Sequence, residues 1–396
     1  MVVKNIGDIR SAFSWKIKKT SAASLIIYTS IKLSKTKSHC ILFNCKDPKP
    51  MKTTLIRYLF IFIFLSTIFQ ACKKKGPVEP EQHGDPFDIH AAGRIGYVAT
   101  YWKNGKPSTI GKSNSNAVAM AVSGNDIHLA GFEMNAAGKH VAKYWKNGVG
   151  ISLTDGTVDA FANGIFISGN DVYIAGQELL PGRSTYQAKY WKNGTPVNLT
   201  GDNQQAIATD IAVVAGDVYV IGERRNLDWL TTITCYWKNG QLFDLGSRST
   251  TASDQSLTVS GNDVYMLWSE VYNNFGQLQT RYSKNLGSAI PLNDGSPDVR
   301  GSAITVNGND VYIAGTGTAA SNQGIVAKYW KNGSAVALSD GTVSAYGLSI
   351  AVAGNDVFVG GYSDGGIAQY WKNGTLYTIT DGKQESMIQK IIVVKK

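Results

Sequence analysis

Three stretches of the sequence hold side chains that could do chemistry and that the other repeats of the chain lack. They lie at residues 183–186, 223–229 and 268–275. Their charged and aromatic residues are Arg183, Tyr186, Glu223, Arg224, Arg225, Asp228, Trp229, Trp268, Glu270, Tyr272 and Phe275. Binding hot spots favour Trp, Tyr and Arg because each offers a large contact area. We predict that these stretches are neighbouring loops of one binding surface, although neutral drift of unconstrained loops explains their differences equally well.

The same stretches contain the acidic residues that suggest an enzyme. Most glycosidases use two carboxyl groups roughly 5 to 10 Å apart. Glu223, Asp228 and Glu270 form the acidic cluster that is not repeated along the chain. A glycosidase or lyase that uses loop carboxylates is therefore the alternative to a binding module, and no catalytic residue is assigned.

The sequence predicts neither a metal site nor a cofactor. His90 and His128 occupy equivalent repeat positions, and no Cys/His/carboxylate cluster has the spacing of a metal site. Recurring aspartates in loops could bind Ca²⁺, but Asp-Gly is a turn sequence and each Asp lacks companion carboxylates, which favours the turn. They are Asp155, Asp294, Asp340 and Asp381.

The positive charge of the chain is concentrated at its front. The net charge is +10, but residues 1–50 carry ten Lys/Arg against two Asp/Glu and residues 51–75 carry five against none. Residues 76–396 have 24 against 27. Binding of a polyanion needs clustered cations, so nucleic acid is not expected as a partner.

Residues 51–71 have the pattern of a secretion signal peptide. Basic Lys52 and Arg57 precede the apolar run 58–65, and the segment ends at Ala71-Cys72. The sequence Ile68-Phe69-Gln70-Ala71-Cys72 resembles the lipobox of bacterial lipoproteins, which implies lipidation of Cys72. A free cysteine after an ordinary cleavable signal is the alternative.

The signal peptide has a basic leader before it and a polar segment after it. Residues 1–50 show no core pattern, so they are either a dubious extension before the true start at Met51 or a disordered basic leader. Residues 72–85 have the composition of a flexible tether. Residues 86–396 then form the predicted folded domain.

An internal repeat determines the predicted fold of residues 86–396. Tyr101-Trp102-Lys103-Asn104-Gly105 recurs, with one degenerate copy, to give seven copies 41 to 47 residues apart. A second element, Gly-Asn-Asp-Val-Tyr at residues 169–173, precedes most copies. Each repeat divides into four short β-rich runs, A to D; in one repeat they are 163–168, 171–177, 187–192 and 196–200. Asn-Gly predicts a type I′ turn between C and D, and repeated Trp predicts packing between sheets rather than sugar stacking.

The ends of the chain complement each other. Residues 88–93 match strand B, so the first repeat lacks strand A, and the apolar run 388–394 supplies a spare one. The sequence therefore predicts an all-β, seven-bladed β-propeller closed by a one-strand clasp between the termini.

The Tyr-Trp-Lys-Asn-Gly, Gly-Asn-Asp-Val-Tyr and Leu-Thr-Asp-Gly elements resemble the repeats of extracellular propeller lipoproteins. They are also similar to extracellular repeats in which an aromatic-Trp pair precedes a Gly turn. The resemblance covers about residues 86–396 and implies the architecture, but no established activity. The sialidase Asp box is absent, because Asp155-Gly156 and Asp340-Gly341 lack its intervening residue.

These observations together predict a binding or interaction module held at the bacterial cell envelope by a lipid. The expected partner is a glycan, a peptide or a protein, and the expected state is a monomer. A structural spacer remains a third interpretation, and the membrane side that carries the lipid is left open.

Overall fold

The computed structural model describes residues 13–20, 24–31, 86–202, 204–225, 232–246, 255–271, 277–296, 298–319 and 324–396. The chain divides into two compact units, Met1–Lys74 and Lys75–Lys396. In the first unit, strands β1 (Phe13–Thr20) and β2 (Ser24–Ile31) pair antiparallel. None of the described residues belongs to a helix long and apolar enough to cross a membrane. The predicted signal peptide, Cys72 and the tether lie outside the described residues.

The second unit consists of consecutive β-strands connected mostly by tight turns. Its strands are β3 (Phe87–Ile95), β4 (Val98–Lys103), β5 (Lys106–Ser113), β6 (Ser115–Ser123), β7 (Asp126–Met134), β8 (His140–Lys146), β9 (Val149–Ser152), β10 (Ala160–Ser168), β11 (Asp171–Leu179), β12 (Tyr186–Lys192), β13 (Thr195–Asn198), β14 (Ala206–Val214), β15 (Asp217–Arg225), β16 (Thr232–Lys238), β17 (Gln241–Asp244), β18 (Ser256–Ser260), β19 (Asp263–Val271), β20 (Leu278–Lys284), β21 (Ile290–Pro291), β22 (Val299–Asn307), β23 (Asp310–Thr318), β24 (Ile325–Lys331), β25 (Ser334–Ala337), β26 (Ala345–Ala353), β27 (Asp356–Ser363), β28 (Ile367–Lys372), β29 (Thr375–Thr378) and β30 (Ser386–Lys395).

These strands form four-stranded antiparallel meanders, the building unit of a β-propeller. Sheets β6–β9, β10–β13, β14–β17 and β26–β29 each use four consecutive strands. Strands β18–β21 and β22–β25 form two more meanders, joined by one parallel pair between Gln279 and Val299. In the remaining sheet the order is β30-β3-β4-β5, so the last strand pairs with the first strand of this unit. The predicted all-β fold of propeller type is confirmed.

The hairpin between the third and fourth strands of a sheet has the predicted geometry. Asn193 and Gly194, between β12 and β13, have φ angles of 50° and 84°. Both values lie in the left-handed region that a two-residue type I′ turn requires. The turn between β10 and β11 has one such residue, Gly169, with φ of 58°. The Asn-Gly sequence therefore sets the strand register locally.

A cluster of Asp, Lys and Asn explains why the two sequence elements recur together. The Asn193 amide donates to the Asp171 carboxylate at 2.8 Å, and its oxygen accepts the Val172 N–H at 2.8 Å. Lys192 Nζ lies 2.9 Å from the other Asp171 oxygen and 5.2 Å from the centroid of the Tyr173 ring. Equivalent clusters join Asp88, Lys103 and Asn104; Asp126, Lys146 and Asn147; Asp217, Lys238 and Asn239; Asp263, Lys284 and Asn285; Asp310, Lys331 and Asn332; and Asp356, Lys372 and Asn373.

The repeated tryptophans form the core between neighbouring sheets. Trp191, which is 1% exposed, packs in one cluster with Ala160 and Ile174 of its own sheet and with Ala130 and Tyr144 of sheet β6–β9. The same depth of burial holds for Trp102, Trp145, Trp237, Trp330 and Trp371. Packing between sheets, rather than stacking against a sugar, is therefore confirmed for these side chains.

The innermost strand of most sheets contains a β-bulge at one repeated position. In β10 the register with β11 shifts between Ala162 and Gly164, so Asn163 is the extra residue. Opposite the bulge, β11 carries Gly176, where a Cβ atom would lie 2.0 Å from the carbonyl oxygen of Phe161. The close approach of the two strands therefore requires glycine at this position.

One sheet departs from this pattern because Trp268 stands where the others have glycine. Trp268 pairs with Arg281 as Gly176 pairs with Lys189. Among the described residues, which resume at Gln255 after residue 246, β18 pairs with β19 from Ser260 to Ser256 and the register shows no shift. Trp268 therefore lies one residue beyond Leu267, which is the partner of Ser256 at the end of the described pairing.

Candidate ligand-binding site

A cavity of about 400 Å³ lies at the innermost strands of the sheets and is here called the central cavity. Every sheet of the second unit contributes to its wall. The lining residues are Val118, Ala119, Asn163, Ile207, Thr209, Asp210, Glu223, Gln255, Ser256, Ser302, Ala303, Leu348, Gln389 and Lys390. Most of them occupy the bulge position or the residue after it, so the bulge turns these side chains inward.

Two charged residues occupy a position where the other inner strands carry small residues. Gly164 follows the bulge residue in β10, and its counterparts include Ala119, Ser256 and Ala303. Asp210 in β14 and Lys390 in β30 are the exceptions. They also line a second cavity of about 310 Å³, so both lie where the two cavities adjoin.

Asp210 is held by donors on its own strand and on the next sheet. Its carboxylate accepts the backbone N–H groups of Ile211 at 3.0 Å and Leu257 at 2.9 Å, and the Ser256 hydroxyl lies 3.3 Å away. Burial raises the pKa of Asp210, while the positive charge of Lys390 and the three donors act in the opposite direction. Desolvation therefore outweighs the attraction of Lys390.

Glu223 and Gln255 form the second polar group of the central cavity. Glu223 lies two residues before the end of β15, and burial raises its pKa from 4.5 to about 7. One Glu223 carboxylate oxygen is buried without a hydrogen-bond partner, as are both polar side-chain atoms of Gln255, which is 7% exposed. Gln255 acts to lower the pKa of Glu223, so the two side chains are close, although no hydrogen bond of ordinary geometry joins them. Buried polar groups without partners are uncommon and mark a place where a ligand or water would be stabilised.

Three of the predicted binding residues converge on the loop before β14. The Arg183 guanidinium donates to the Asp202 carbonyl at 2.7 Å. The backbone N–H of Tyr186 donates to the Gln205 side chain at 2.9 Å, and the Arg225 N–H donates to the Gln205 carbonyl at 2.9 Å. The three predicted residues, which come from adjacent sheets, therefore lie close together. Their contacts hold the loop before β14 in place.

The other described members of the predicted surface have structural partners. Arg224 makes two hydrogen bonds to the Asp244 carboxylate, at 2.9 and 2.7 Å. Glu270 is buried and forms an ion pair with Arg281. The expectation that Trp268 is an exposed loop residue is wrong: it lies in β19, is 2% exposed and packs against Tyr236 and neighbouring core residues.

Several predicted residues cannot be placed, because they lie outside the described residues. These are Cys72, Asp228, Trp229, Tyr272 and Phe275. Of the predicted binding residues that are described, Glu223 is the one that lines the central cavity. Asp228, its proposed acidic neighbour, lies outside the described residues. Glu270 does not line the central cavity.

The recurring loop aspartates make turns. The Asp155 carboxylate accepts the backbone N–H of Thr157 at 2.9 Å, and this bond is the largest cause of the lowered pKa of Asp155. Asp294, Asp340 and Asp381 accept equivalent bonds from the residue two positions later. His90 and His128 each place Nδ1 next to a tyrosine hydroxyl, at 2.6 and 2.7 Å. Among the described residues, no group of three His, Cys, Asp or Glu could hold a metal ion.

Sequence reasoning missed Asp210, Gln255 and Lys390. Their signal was present, because aligning the inner strands places Asp210 and Lys390 where the other strands have glycine, alanine or serine. A charged residue at this position marks a site, because the bulge turns the side chains of the inner strands toward the cavity.

Comparison with known proteins identifies similar folds. No protein-family model matches the chain, and no curated protein matches it. The β-propeller domain of the trilobed protease from Pyrococcus furiosus matches with 10% identity and a TM-score of 0.44, covering 75% of this chain and 99% of that domain. TolB from Acinetobacter baumannii matches with 13% identity and a TM-score of 0.43, covering 83% and 80%.

A peptidase is also among the similar structures. The acylaminoacyl peptidase from Pyrococcus horikoshii has 11% identity and a TM-score of 0.46, and the match covers 77% of this chain. The chain spans 54% of the length of that peptidase. At such identities the similarity concerns the fold, and nothing about activity follows from it.

Proposed function

We propose that the chain is a binding module, anchored at the cell envelope, that takes a small polar ligand into the central cavity. The observation that carries this proposal is Gln255, a residue more than nine-tenths buried that lines the cavity with both polar side-chain atoms unpartnered. Glu223 adds an unpartnered carboxylate oxygen beside it. Leaving such groups unpaired costs about 1–3 kcal/mol each, which a ligand with matching donors and acceptors would recover.

The module is proposed to be a seven-bladed propeller closed by a one-strand clasp. Seven copies of the Tyr-Trp-Lys-Asn-Gly element support the blade number. The pairing of β30 with β3, from Phe87 and Lys395 to Ile95 and Ser386, supports the clasp. Deleting residues 387–396 should then lower the melting temperature strongly and cause aggregation, because a strand edge and the apolar surface around Ile388 and Ile391 become exposed. A truncated chain that stayed monomeric and melted like the wild type would exclude the clasp.

The anchor is proposed to be a lipid on Cys72. The signal-like pattern of residues 51–71 and the lipobox resemblance support it. Labelled palmitate should be incorporated into the wild type and not into Cys72→Ser. Equal labelling of both would exclude this anchor.

The binding function is tested with the purified chain on a glycan array. A bound glycan should lose most of its signal with Gln255→Ala and keep it with Gln384→Ala, a substitution of an exposed glutamine that does not line the cavity. Melting curves of both variants show whether a loss of binding comes from the missing amide or from unfolding of the chain. If Gln255→Ala binds every glycan as the wild type does, the central cavity is not the site.

A carbohydrate-active enzyme is the second candidate. Two carboxyl groups, Asp210 and Glu223, line the same cavity, and the pKa of about 7 would let Glu223 act as a general acid near neutral pH. Release of reducing sugar from a bound glycan, abolished by Glu223→Gln, would favour the enzyme. Binding without release favours the binding module.

A further inference from the structure

The central cavity contains a cation that its surroundings do not neutralise by direct contact. Lys390 lines the cavity and makes no hydrogen bond or ion pair with another described residue. Asp210 acts on it through space, but the Asp210 carboxylate is already held by Ile211, Ser256 and Leu257. An ammonium group in a partly desolvated cavity is stabilised most by an anion that reaches it directly.

The wall around Lys390 is rich in groups that both donate and accept hydrogen bonds. Gln255 has no partner, and the Gln389 amide contacts only the Met387 sulfur, at 2.9 Å. The Asn163 amide donates to Gln177 and to the Ala208 carbonyl, which leaves its oxygen as an acceptor. Amide side chains of this kind match the hydroxyl groups of a sugar or another polyol.

We propose that the central cavity binds a small hydroxylated carboxylate, of which a uronic acid is the simplest sugar example. The carboxylate would pair with Lys390 Nζ, and the hydroxyl groups would bond to the amides of Gln255 and Gln389. This inference rests on the proposed binding function and names its ligand class.

A cationic ligand fits the cavity less well. Its ammonium would need an ionised carboxylate with free acceptor positions, whereas three donors already occupy Asp210. It would also meet the positive charge of Lys390. A carboxylate ligand meets neither obstacle, and Glu223 in its protonated form would donate to an oxygen of that ligand.

The inference is tested by calorimetry of the purified chain at pH 6 with three probes of one size: glucuronate, glucose and glucosamine. Glucuronate should bind about tenfold more tightly than glucose, because a charge-assisted hydrogen bond contributes more than a neutral one. Lys390→Met should remove this preference by lowering the affinity for glucuronate much more than the affinity for glucose, and Lys390→Arg should retain most of it. Lys383→Met, which removes an exposed lysine paired with Asp381 outside the cavity, is the charge-matched control.

The outcomes separate this inference from the proposed function. Equal affinity for glucuronate and glucose, both lost with Gln255→Ala, would overturn the acidic ligand and leave the binding site in place. Tighter binding of glucosamine than of glucuronate would also overturn the acidic ligand and leave the binding site in place. If Gln255→Ala changes the affinity for none of the probes that bind, both proposals fail. If none of the three probes binds, the inference fails, and the binding function is decided by the glycan array. A preference for glucuronate that Lys390→Met and Lys383→Met reduce equally would be a general charge effect and would also overturn the inference.

Discussion

Sheets β10–β13 and β18–β21 are built from the same repeat, yet they differ at the strand that faces the cavity. In the first, Gly176 lets β10 approach closely, and pairing continues past the bulge to Ala160. In the second, Trp268 takes the glycine position, and the described pairing of β18 ends at Ser256. Gln255, the residue just before that end, has no hydrogen-bond partner for either polar atom of its side chain.

This difference separates the parts of a repeat that must stay alike from the parts that are free to change. The Asp-Lys-Asn cluster is present in both sheets, through Asp171 and Asp263. It fixes the turn that joins the third and fourth strands. The inner strand carries no such local constraint, so one bulky substitution in the next strand alters the cavity wall while the rest of the sheet is retained.

The largest expected effect is that of adding a side chain to sheet β10–β13 at the glycine opposite its bulge. Gly176→Ala should destabilise the chain by at least about 3 kcal/mol, because the added Cβ would lie 2.0 Å from a backbone oxygen and 3.0 Å from the Trp191 ring. Chemical denaturation followed by tryptophan fluorescence measures this change.

Gly201→Ala is the matched control, since a Cβ at Gly201 would meet nothing within 4 Å. Its effect should stay within about 0.5 kcal/mol. If both substitutions cost the same, close strand approach is not what requires glycine opposite the bulge, and the comparison with Trp268 fails.

A smaller effect is expected from Glu223, the buried carboxyl group that lines the central cavity together with Gln255. Because burial raises the pKa of Glu223 to about 7, its contribution to stability is present below its unfolded pKa near 4.5 and is lost as the pH rises through 7. Glu223→Gln should therefore stabilise the chain at pH 8 by about 3 kcal/mol relative to its effect at pH 4. Melting curves across this range test the sign. A stabilisation that did not change with pH would show that Glu223 is not desolvated in the folded state.

The smallest effect is expected at the Asp-Lys-Asn cluster that the two sheets share. Hydrogen bonding by Asn193 and then the Lys192 ammonium lower the pKa of Asp171, so its contribution is present above the unfolded pKa near 4 and is lost as the pH falls through the lower folded value. Asp171→Asn should lower the melting temperature slightly at pH 7. The difference from the wild type should shrink toward pH 3. A difference that grew in acid would contradict the lowered pKa.

The sequence predicted the features that depend on local chemistry. Asn193-Gly194 predicted its turn because few residues adopt positive φ, and the period of the repeat predicted the four-stranded sheets. The cavity could not be predicted in this way, because Asp210 and Lys390 are far apart in the chain and line one cavity only when sheets β14–β17 and β30-β3-β4-β5 are assembled. Trp268 was misplaced because its surroundings in sequence resemble a loop, whereas β19 continues to Val271.

The clusters at the Asn-Gly turns also bear on the chemical ageing of the chain. An asparagine before glycine is prone to deamidation, in which the following backbone nitrogen attacks the side-chain carbonyl. In Asn193 that carbonyl accepts the Val172 N–H and the amide donates to Asp171, so both ends of the group are tied to the neighbouring strand. Each folded turn therefore protects its own asparagine, and deamidation at these sites would record how often a sheet has opened.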